Sequence, residues 1–170
     1  FQEFDSGIEL WGADNLLRPG SELNRARLKA SGIHLLHADM RCRSDLDVLP
    51  AVHWVIDAAA NPSVLAGVKG VVSSRQLIEH NLVGTINMLE YCKRTDAGLV
   101  LLSTSRVYSI PPLVNLPVSV ENEAYRPQLD SYNVVGLSSE GVAENFSSKR
   151  PVSLYGATKL ASELLALEYQ

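Results

Sequence analysis

Apolar residues in this chain form short continuous runs, and other apolar residues recur at intervals of three and four. The continuous runs predict four buried strands, at Ile8–Asp14, Ile33–Ala38, His53–Ala60 and Gly98–Ser103. The spaced residues predict helices between the strands, the longest over Ser74–Arg94. Strands that alternate with helices and are apolar throughout favour a parallel sheet covered on both faces. The pattern therefore predicts a doubly wound α/β domain.

Polar residues predict where three further helices begin. Ser21 is expected to cap the first helix, and Ser44 to cap a short helix over Ser44–Leu49. Ser153 is expected to cap a final helix that continues to the end of the chain. The first seven residues resemble the tail of a helix that ends at Gly7. Prolines interrupt the pattern between residues 109 and 153, which predicts a long irregular segment there, usually a functional feature.

Composition narrows the class of protein. A chain of 170 residues is long enough for one sizeable core. Its 15 Lys and Arg against 19 Asp and Glu give a net charge of −4, without a basic cluster, which argues against general nucleic-acid binding. No apolar run approaches the roughly 18–20 residues of a membrane span. Cys42 and Cys92 have neither ligand spacing nor a disulfide framework, so we expect no metal site and a reducing, cytoplasmic compartment.

Polar side chains stand where the predicted strands end, at Asp14, Asp39, Ser103 and Thr104. In doubly wound sheets, ligands bind beyond the carboxyl ends of the strands. A carboxylate there can accept hydrogen bonds from the ribose hydroxyls of a dinucleotide. The alternative for Asp14 is that it merely caps its own loop. Both interpretations stay open at the level of sequence.

Tyr155 and Lys159 are spaced by four residues in the predicted final helix. This spacing places the two side chains on one helix face, roughly 6 Å apart along the axis. An ammonium beside a phenol favours the phenolate, so Tyr155 is a candidate general base. On spacing alone, an ordinary exposed Tyr/Lys pair is the alternative.

Together, the hydroxyls of Ser103–Ser105 and the Tyr155–Lys159 pair resemble the Ser/Thr–Tyr–Lys triad of the short-chain dehydrogenases/reductases. The extended branch of that superfamily, the NAD-dependent epimerase/dehydratase family, has motifs similar to further stretches of this chain: Gly12–Leu16, Asp39–Arg41, Asn81–Thr85 and Ser103–Tyr108. Within it, the chain is most similar to the CDP-paratose (CDP-tyvelose) 2-epimerases, through Asp14–Gly20, the catalytic strand and the long segment before Tyr155. The resemblance implies that residues 1–170 are part of a Rossmann-like NAD-binding domain.

The resemblance also implies a role for individual residues. Thr104 would position a sugar hydroxyl, Tyr155 would be the base, and Lys159 would hold the nicotinamide ribose. Apart from the resemblance, Ser105 and Arg106 are candidates for substrate contact because they stand beside Thr104, and for Arg106 an ordinary loop salt bridge is the alternative. The implied NAD-binding residues share positions at strand ends or on the helices behind them: Asp14, Asn15, Arg18, Asp39, Met40, Ala58, Ala59, Ala60, Asn81, Ser103, Tyr155 and Lys159.

The implied activity is epimerisation of a nucleotide sugar, CDP-linked in the most similar subfamily, through a transient keto-sugar with NAD as the hydride carrier. A homodimer is the implied assembly of the full-length protein. One alternative is a nucleotide-sugar 4,6-dehydratase, but those enzymes carry an Asp-Glu pair where this chain has Ser105 and Arg106. Another is a catalytically silent NAD-binding regulatory protein, which would usually lack a member of the triad.

The chain departs from the family pattern at two positions. Asp57 stands where the family usually has His, and Ser109 stands where Gly commonly follows the Val-Tyr pair. The first strand with its glycine-rich phosphate loop, and the C-terminal substrate region, are expected outside this chain. The chain by itself is therefore not expected to turn over substrate.

Overall fold

The computed structural model describes residues 7–65, 73–130 and 132–170. Its first half alternates strands and helices in the order β1 (Trp11–Asp14), α1 (Asn24–Ala30), β2 (His34–His37), α2 (Arg43–Asp47), β3 (Trp54–Asp57), α3 (Ser74–Ile78), α4 (Gly84–Thr95) and β4 (Gly98–Leu101). The helix tail predicted over residues 1–7 lies outside the described residues, apart from Gly7.

The four strands pair in parallel, as the sequence predicts. β1 pairs with β2 and β3 pairs with β4, and among the described residues no strand joins the two pairs into one sheet. Asp14 lies opposite His37, and Asp57 lies opposite Leu101. The carboxyl ends within each pair therefore coincide, which brings the residues that follow the strands close together.

The long predicted helix forms, but with a π-helical turn, Glu79–Val83, between α3 and α4. Its buried face includes Leu77, Met88, Leu89 and Cys92. Met88 and Cys92 form a core cluster with Leu46 of α2 and Tyr91, against which β3 and β4 pack through Val55 and Leu99. Helix α4 therefore covers one face of the β3–β4 pair.

Two of the three predicted helix caps are wrong. Ser21 lies inside a 3₁₀ turn, Ser21–Leu23, where its hydroxyl donates to the carbonyl of Arg18 at 2.6 Å, and α1 starts only at Asn24. Helix α2 starts one residue before Ser44, with Cys42 as its N-cap. Left-handed backbone at Gly20, φ 91°, turns the chain into the 3₁₀ turn before the helix begins.

The third cap, Ser153, is confirmed. Its hydroxyl oxygen accepts a hydrogen bond from the N–H of Gly156 at 2.9 Å, at the start of α6 (Leu154–Glu168). This cap fixes the first turn of the helix that carries Tyr155 and Lys159.

The segment 109–153, predicted as irregular, contains regular elements. A short helix, α5 (Ile110–Val114), precedes a hairpin of β5 (Val118–Glu121) and β6 (Ala124–Pro127) and a smaller one of β7 (Leu137–Ser138) and β8 (Gly141–Val142). The first hairpin turns at Asn122 and Glu123, which have φ of 49° and 62°. Because no glycine marks that turn, the usual hairpin signal is missing from the sequence.

The two tryptophans lie in strands, and both are exposed. Trp11 is 40 % exposed and stacks on His34 with ring centroids 4.5 Å apart. Trp54 is 68 % exposed and lies over Gly98, where a Cβ would come within 2.5 Å of the indole. Helix α4 covers only the opposite face of the β3–β4 pair, so residues on the Trp54 face of these strands stay exposed. Within the described residues, no helix is long and apolar enough to cross a membrane.

Candidate active site

The loop after β1 is built by hydrogen bonds from short polar side chains. Asp14 is exposed, and its Oδ1 accepts from the N–H of Leu16 at 2.6 Å, which supports φ of 52° at Leu16. Asn15 donates from Nδ2 to Oδ2 of Asp39 at 3.1 Å. The structure thus brings together Asp14, Asn15 and Asp39, while Asp14 also has the loop-capping role that was the sequence-level alternative.

Arg18 and Met40 are placed differently from one another. Arg18 is exposed in the loop after β1, where its carbonyl accepts hydrogen bonds from Ser21. Met40 is held against α4, because its carbonyl accepts from Nδ2 of Asn87 at 2.7 Å and its side chain lies over Gly84. Helix α4 therefore fixes the backbone that follows β2.

Arg41 is a partner that the sequence analysis did not single out. Its guanidinium donates to both carboxylate oxygens of Asp39, from Nε at 2.9 Å and from Nη2 at 2.6 Å. The hydrogen bonds from Arg41 hold the pKa of Asp39 well below its ordinary value, against the opposing effect of burial. Only Met40 separates the two residues along the chain, but it is the turn after β2 that brings the charges into a bidentate arrangement.

Replacement of Asp39 by Asn should lower the free energy of unfolding by about 1–3 kcal/mol at pH 7, because hydrogen bonds to a charged group are lost. The depressed pKa of Asp39 means that its contribution is present above the ordinary carboxyl value of 3.8 and is lost as the pH falls through the folded-state pKa. Urea denaturation of D39N and wild type should therefore give a difference at pH 7 that shrinks below about pH 3.8. A difference that stayed constant down to pH 2 would contradict the ionic role.

Small side chains follow β3. Ala58 and Ala59 are exposed, and the N–H of Ala59 donates to Oδ1 of Asp57 at 3.0 Å. Ala60 is half-buried beside Asn61, whose N–H donates to Oδ1 of Asn81 at 2.7 Å and whose carbonyl accepts from Nδ2 of Asn81 at 3.1 Å. These paired bonds tie the turn after β3 to the π-helical turn. The sequence indicated Asn81 by resemblance but not its partner Asn61.

A buried polar network continues from Asn81 into α6. Asn81 donates from Nδ2 to the hydroxyl of Thr158 at 3.4 Å, and its carbonyl accepts from the hydroxyls of Thr85 at 2.8 Å and Ser162 at 3.3 Å. Ser162 is fully buried and Thr158 nearly so. The network fixes α6 at the residues that flank Lys159, and the sequence analysis did not find Thr158 or Ser162.

The end of β4 places hydroxyls beside a cavity of about 600 Å³. Thr104 accepts from the N–H of Arg106 at 3.2 Å and so caps a 3₁₀ turn, Ser105–Val107. The Ser103 hydroxyl donates to the carboxylate of Glu163 on α6. Ser103, Thr104, Ser105 and Glu163 line the cavity, and the exposed Arg106 side chain belongs to the same turn.

Tyr155 and Lys159 lie on α6 next to this turn. At Gly156, a Cβ would overlap the carbonyl oxygen of Arg106, so the turn and the helix are in backbone contact beside Tyr155. Tyr155 is half-buried and Lys159 is only 3 % exposed. Among the described residues, no hydrogen bond joins the side chains of Thr104, Tyr155 and Lys159 to one another.

Burial lowers the pKa of Lys159, and the carboxylates of Asp57 and Glu163 oppose that shift. The protonation of Lys159 therefore depends on the balance between desolvation, which disfavours the ammonium, and the two negative charges, which favour it. The described residues contain no group of three or more His, Cys, Asp or Glu side chains that could hold a metal ion.

Parallel strand pairs with polar residues at their carboxyl ends, and a Tyr–Lys helix beside them, define an α/β protein built to bind a nucleotide cofactor. A family model, the NAD dependent epimerase/dehydratase family, matches residues 4–170. The chain belongs to the NAD-dependent epimerase/dehydratase family, so the predicted fold class and the predicted cofactor are confirmed at the level of the family. No curated protein matches the sequence significantly.

Solved structures show the same fold. Pal from Bacillus thuringiensis has a TM-score of 0.70 at 20 % identity, over 99 % of this chain and 46 % of that chain. UDP-glucuronic acid 4-epimerase from Bacillus cereus, in complex with UDP-glucuronic acid and NAD, has 0.67 at 22 %, over 98 % and 46 %. A double mutant of dTDP-glucose 4,6-dehydratase from Streptomyces venezuelae, with NAD bound, has 0.63 at 25 %, over 95 % and 42 %. This chain spans less than half the length of each of these structures.

The residues at the strand ends fit NAD. An exposed carboxylate, Asp14, ends β1. A carboxylate at the end of a strand can accept hydrogen bonds from ribose hydroxyls. The exposed Ala58 and Ala59 after β3 allow close approach of a ligand to the backbone. The bidentate pair of Asp39 and Arg41 orders the loop after β2, which comes between β1 and β3 in chain order.

Proposed function

We propose that the chain is the cofactor-binding and catalytic part of an NAD-dependent nucleotide-sugar epimerase of the CDP-paratose 2-epimerase type, acting through a transient keto-sugar. One observation carries the proposal. The turn that holds Thr104 and the helix that holds Tyr155 and Lys159 meet in backbone contact at Gly156, beside the cavity. Thr104 lines the cavity from the turn, and Leu160 and Glu163 line it from the helix, directly after Lys159 and two turns after Tyr155, respectively.

The proposed roles follow from the chemistry of each group. Tyr155 accepts the proton of a sugar hydroxyl and later returns it, while the ammonium of Lys159 favours the phenolate. Thr104 orients the same hydroxyl. When bound, NAD supplies reversible acceptance of a hydride from the sugar carbon. The substrate leaves without net oxidation, because the proton and the hydride both return, and with one inverted carbon, because the hydride returns to the opposite face of the keto-sugar.

NAD-binding residues are proposed at the strand ends. Asp14 and Asn15 contact the adenosine ribose, with Arg18 over the adenine, and Asp39 and Met40 lie beside the base. The Ala58–Ala60 turn faces the pyrophosphate and the nicotinamide ribose. Two further residues hold this surface in place by hydrogen bonds: Asn81 accepts from the N–H of Asn61, and Ser103 donates to the Glu163 carboxylate.

The residues after Thr104 favour an epimerase over a 4,6-dehydratase. Elimination of water requires an acid and a base placed next to the Thr, and this chain has Ser105 and Arg106 at those positions. Glu144 and Glu163 also line the cavity, but neither follows Thr104 and Glu163 already accepts from Ser103. We therefore assign substrate contacts to Thr104, Ser105 and Arg106 without an elimination step.

The test is incubation of the intact protein and NAD with CDP-, UDP- and dTDP-linked hexoses, followed by mass spectrometry and proton NMR. We expect a CDP-sugar to yield an epimer of unchanged mass. A product that has lost water would establish the dehydratase instead. Absence of any epimer or hydride exchange would favour the catalytically silent NAD-binding protein, although Thr104, Tyr155 and Lys159 are all present.

The exposed Asp14 carboxylate predicts a preference for NAD over NADP. A like charge within about 4 Å of the extra phosphate of NADP costs roughly 1–4 kcal/mol, which corresponds to about a fivefold to several-hundredfold difference in Kd. Fluorescence titration of the intact protein with both cofactors measures that ratio. Equal Kd values would mean that the Arg18 guanidinium, a good phosphate partner, governs the choice.

Helix α6 also carries exposed leucines. Leu164 and Leu167 on α6 are 60 % and 61 % exposed, which suits a homodimer interface on this helix in the intact protein. Sedimentation equilibrium would test that proposal, and a monomer at micromolar concentration would refute it. The two free cysteines fit a reducing compartment, so we propose the cytoplasm.

A further inference from the structure

A buried carboxylate at the end of β3 has no role in the reaction proposed above. Asp57 is 4 % exposed, and its Oδ1 accepts from the N–H of Ala59 at 3.0 Å. Its Oδ2 is buried and has no hydrogen-bond partner among the described residues. A carboxylate taken out of water is costly unless an opposite charge or hydrogen bonds compensate it. One backbone bond is little compensation for two oxygens.

The compensating charge is Lys159. Its side chain is 3 % exposed on α6, and it acts electrostatically on Asp57 as Asp57 acts on it. Burial raises the pKa of Asp57, and the Lys159 ammonium opposes that rise. Burial lowers the pKa of Lys159, with Asp57 as the larger of the two opposing charges. Each group therefore makes the charged form of the other less costly.

The other titratable groups around the pair do not replace either partner. Glu163 also favours the Lys159 ammonium, from one turn along α6, but its carboxylate accepts the Ser103 hydroxyl. Cys92 on α4 interacts with Asp57 and is a buried thiol whose pKa is raised, first by burial and then by that carboxylate, so it remains neutral. Among the groups found to act on Asp57, Lys159 is the only cation within the described part of the chain.

We propose that Asp57 is the buried counter-ion that keeps Lys159 protonated. On the proposed function, this makes Asp57 a positioning residue, which acts on Tyr155 through the charge of Lys159. A protonated Lys159 favours the Tyr155 phenolate, whereas a neutral amine does not. The counter-ion assignment itself stands on geometry and does not depend on the reaction. Both side chains are buried, Oδ2 of Asp57 has no hydrogen-bond partner among the described residues, and Asn81 bonds both to Asn61, in the turn after β3, and to Thr158, next to Lys159 on α6.

The first measurement is the titration of Lys159 in the intact protein, labelled with ¹³Cε-lysine and followed by NMR, with the Lys159 signal assigned from its absence in K159R. In D57N the pKa of Lys159 should fall by about one unit or more, because an opposite charge is lost. Signals of Lys93 and Lys149 should not move. The matched control is E168Q, which removes an exposed carboxylate from the same helix and should leave Lys159 unchanged.

An unchanged Lys159 titration in D57N would overturn the proposal. So would a fall in E163Q together with none in D57N, because Glu163 would then be the counter-ion. Neither result depends on whether the protein is an epimerase, so failure of the proposed function is recognised separately, by the absence of epimer formation.

A reciprocal measurement covers the case in which D57N does not fold. In K159Q, with ¹³Cγ-aspartate labelling, the pKa of Asp57 should rise above its wild-type value. Because coupling between two sites is mutual, this rise should equal the fall in the pKa of Lys159 that D57N is expected to cause. An Asp57 titration that is the same in K159Q and wild type would refute the pairing. In active protein, D57N should also shift the pH dependence of kcat without a matching change in KM for the sugar.

Discussion

A Tyr155→Phe variant of the intact protein should lose roughly 10²–10⁴-fold in kcat, which is the usual contribution of a general base. The phenol oxygen is the proposed proton acceptor, and removing it leaves Thr104 and Lys159 in place without a group to take the proton. Tyr155 is half-buried, and its hydroxyl has no hydrogen bond to another described residue, so the fold does not depend on it. The measurement is steady-state epimerisation, with thermal denaturation and NAD titration of the same preparation.

The matched control is Tyr169→Phe. Tyr169 follows the same helix, and its hydroxyl donates to Glu90 at 2.6 Å on the surface, away from the cavity. This variant should keep its turnover within about twofold, since exposed hydrogen bonds contribute little. If Tyr155→Phe retained wild-type kcat, Tyr155 would not be the base and the proposed function would lose its central residue.

Gly156→Ala adds a single methyl group and should lower both the stability and the turnover of the protein. The new Cβ would overlap the carbonyl oxygen of Arg106, and neither backbone can move freely because the Ser153 cap fixes one and the Thr104 cap fixes the other. Overpacking of this kind costs about 1–3 kcal/mol of stability. Separation of the 3₁₀ turn from α6 should also lower kcat by up to about 10²-fold, the effect of a 1 Å misplacement.

Gly12→Ala provides the comparison. Its Cβ would lie 3.4 Å from Leu35, an ordinary contact in a strand, so stability and kcat should stay close to wild type. Urea denaturation and steady-state kinetics of both variants measure the two effects. If Gly156→Ala behaved like Gly12→Ala, the backbone contact beside Tyr155 would not set the geometry of the site.

The alternation of strands and helices could be predicted because each strand is a short apolar run, although the strands are not buried on both faces as that pattern predicts. Predictions failed where a backbone turn decided the outcome: Gly20 diverts the chain into a 3₁₀ turn before α1, and the hairpin at Asn122–Glu123 has no glycine. The exposure of the tryptophans could not be predicted for a different reason. Apolarity of a strand residue does not say which face a helix covers, and α4 covers the face opposite Trp54.

For the site, the strand-end residues could be predicted because parallel strands end at the same edge. Their partners could not. Arg41 follows Asp39 by two residues, but only the turn after β2 makes the pair bidentate. The partners of Asn81 are distant from it along the chain: Asn61 by 20 residues, Thr158 by 77 and Ser162 by 81. They become partners only when the turn after β3 and helix α6 pack against the π-helical turn.

The π-helical turn at Glu79–Val83 also determines how this helix tolerates loss of a residue. A π turn is an α-helix with one residue inserted, so deleting one residue inside it restores regular α-helix and leaves the faces on both sides aligned. Deletion of a residue of α4 before Met88 would rotate the following residues by about 100° and carry Met88 and Cys92 out of the core. Within the π-helical turn, the Asn81 carbonyl accepts hydrogen bonds from the hydroxyls of Thr85 and Ser162. A helix shortened by one residue there should keep its packing against the core but lose the hydrogen bond that holds α6 through Ser162.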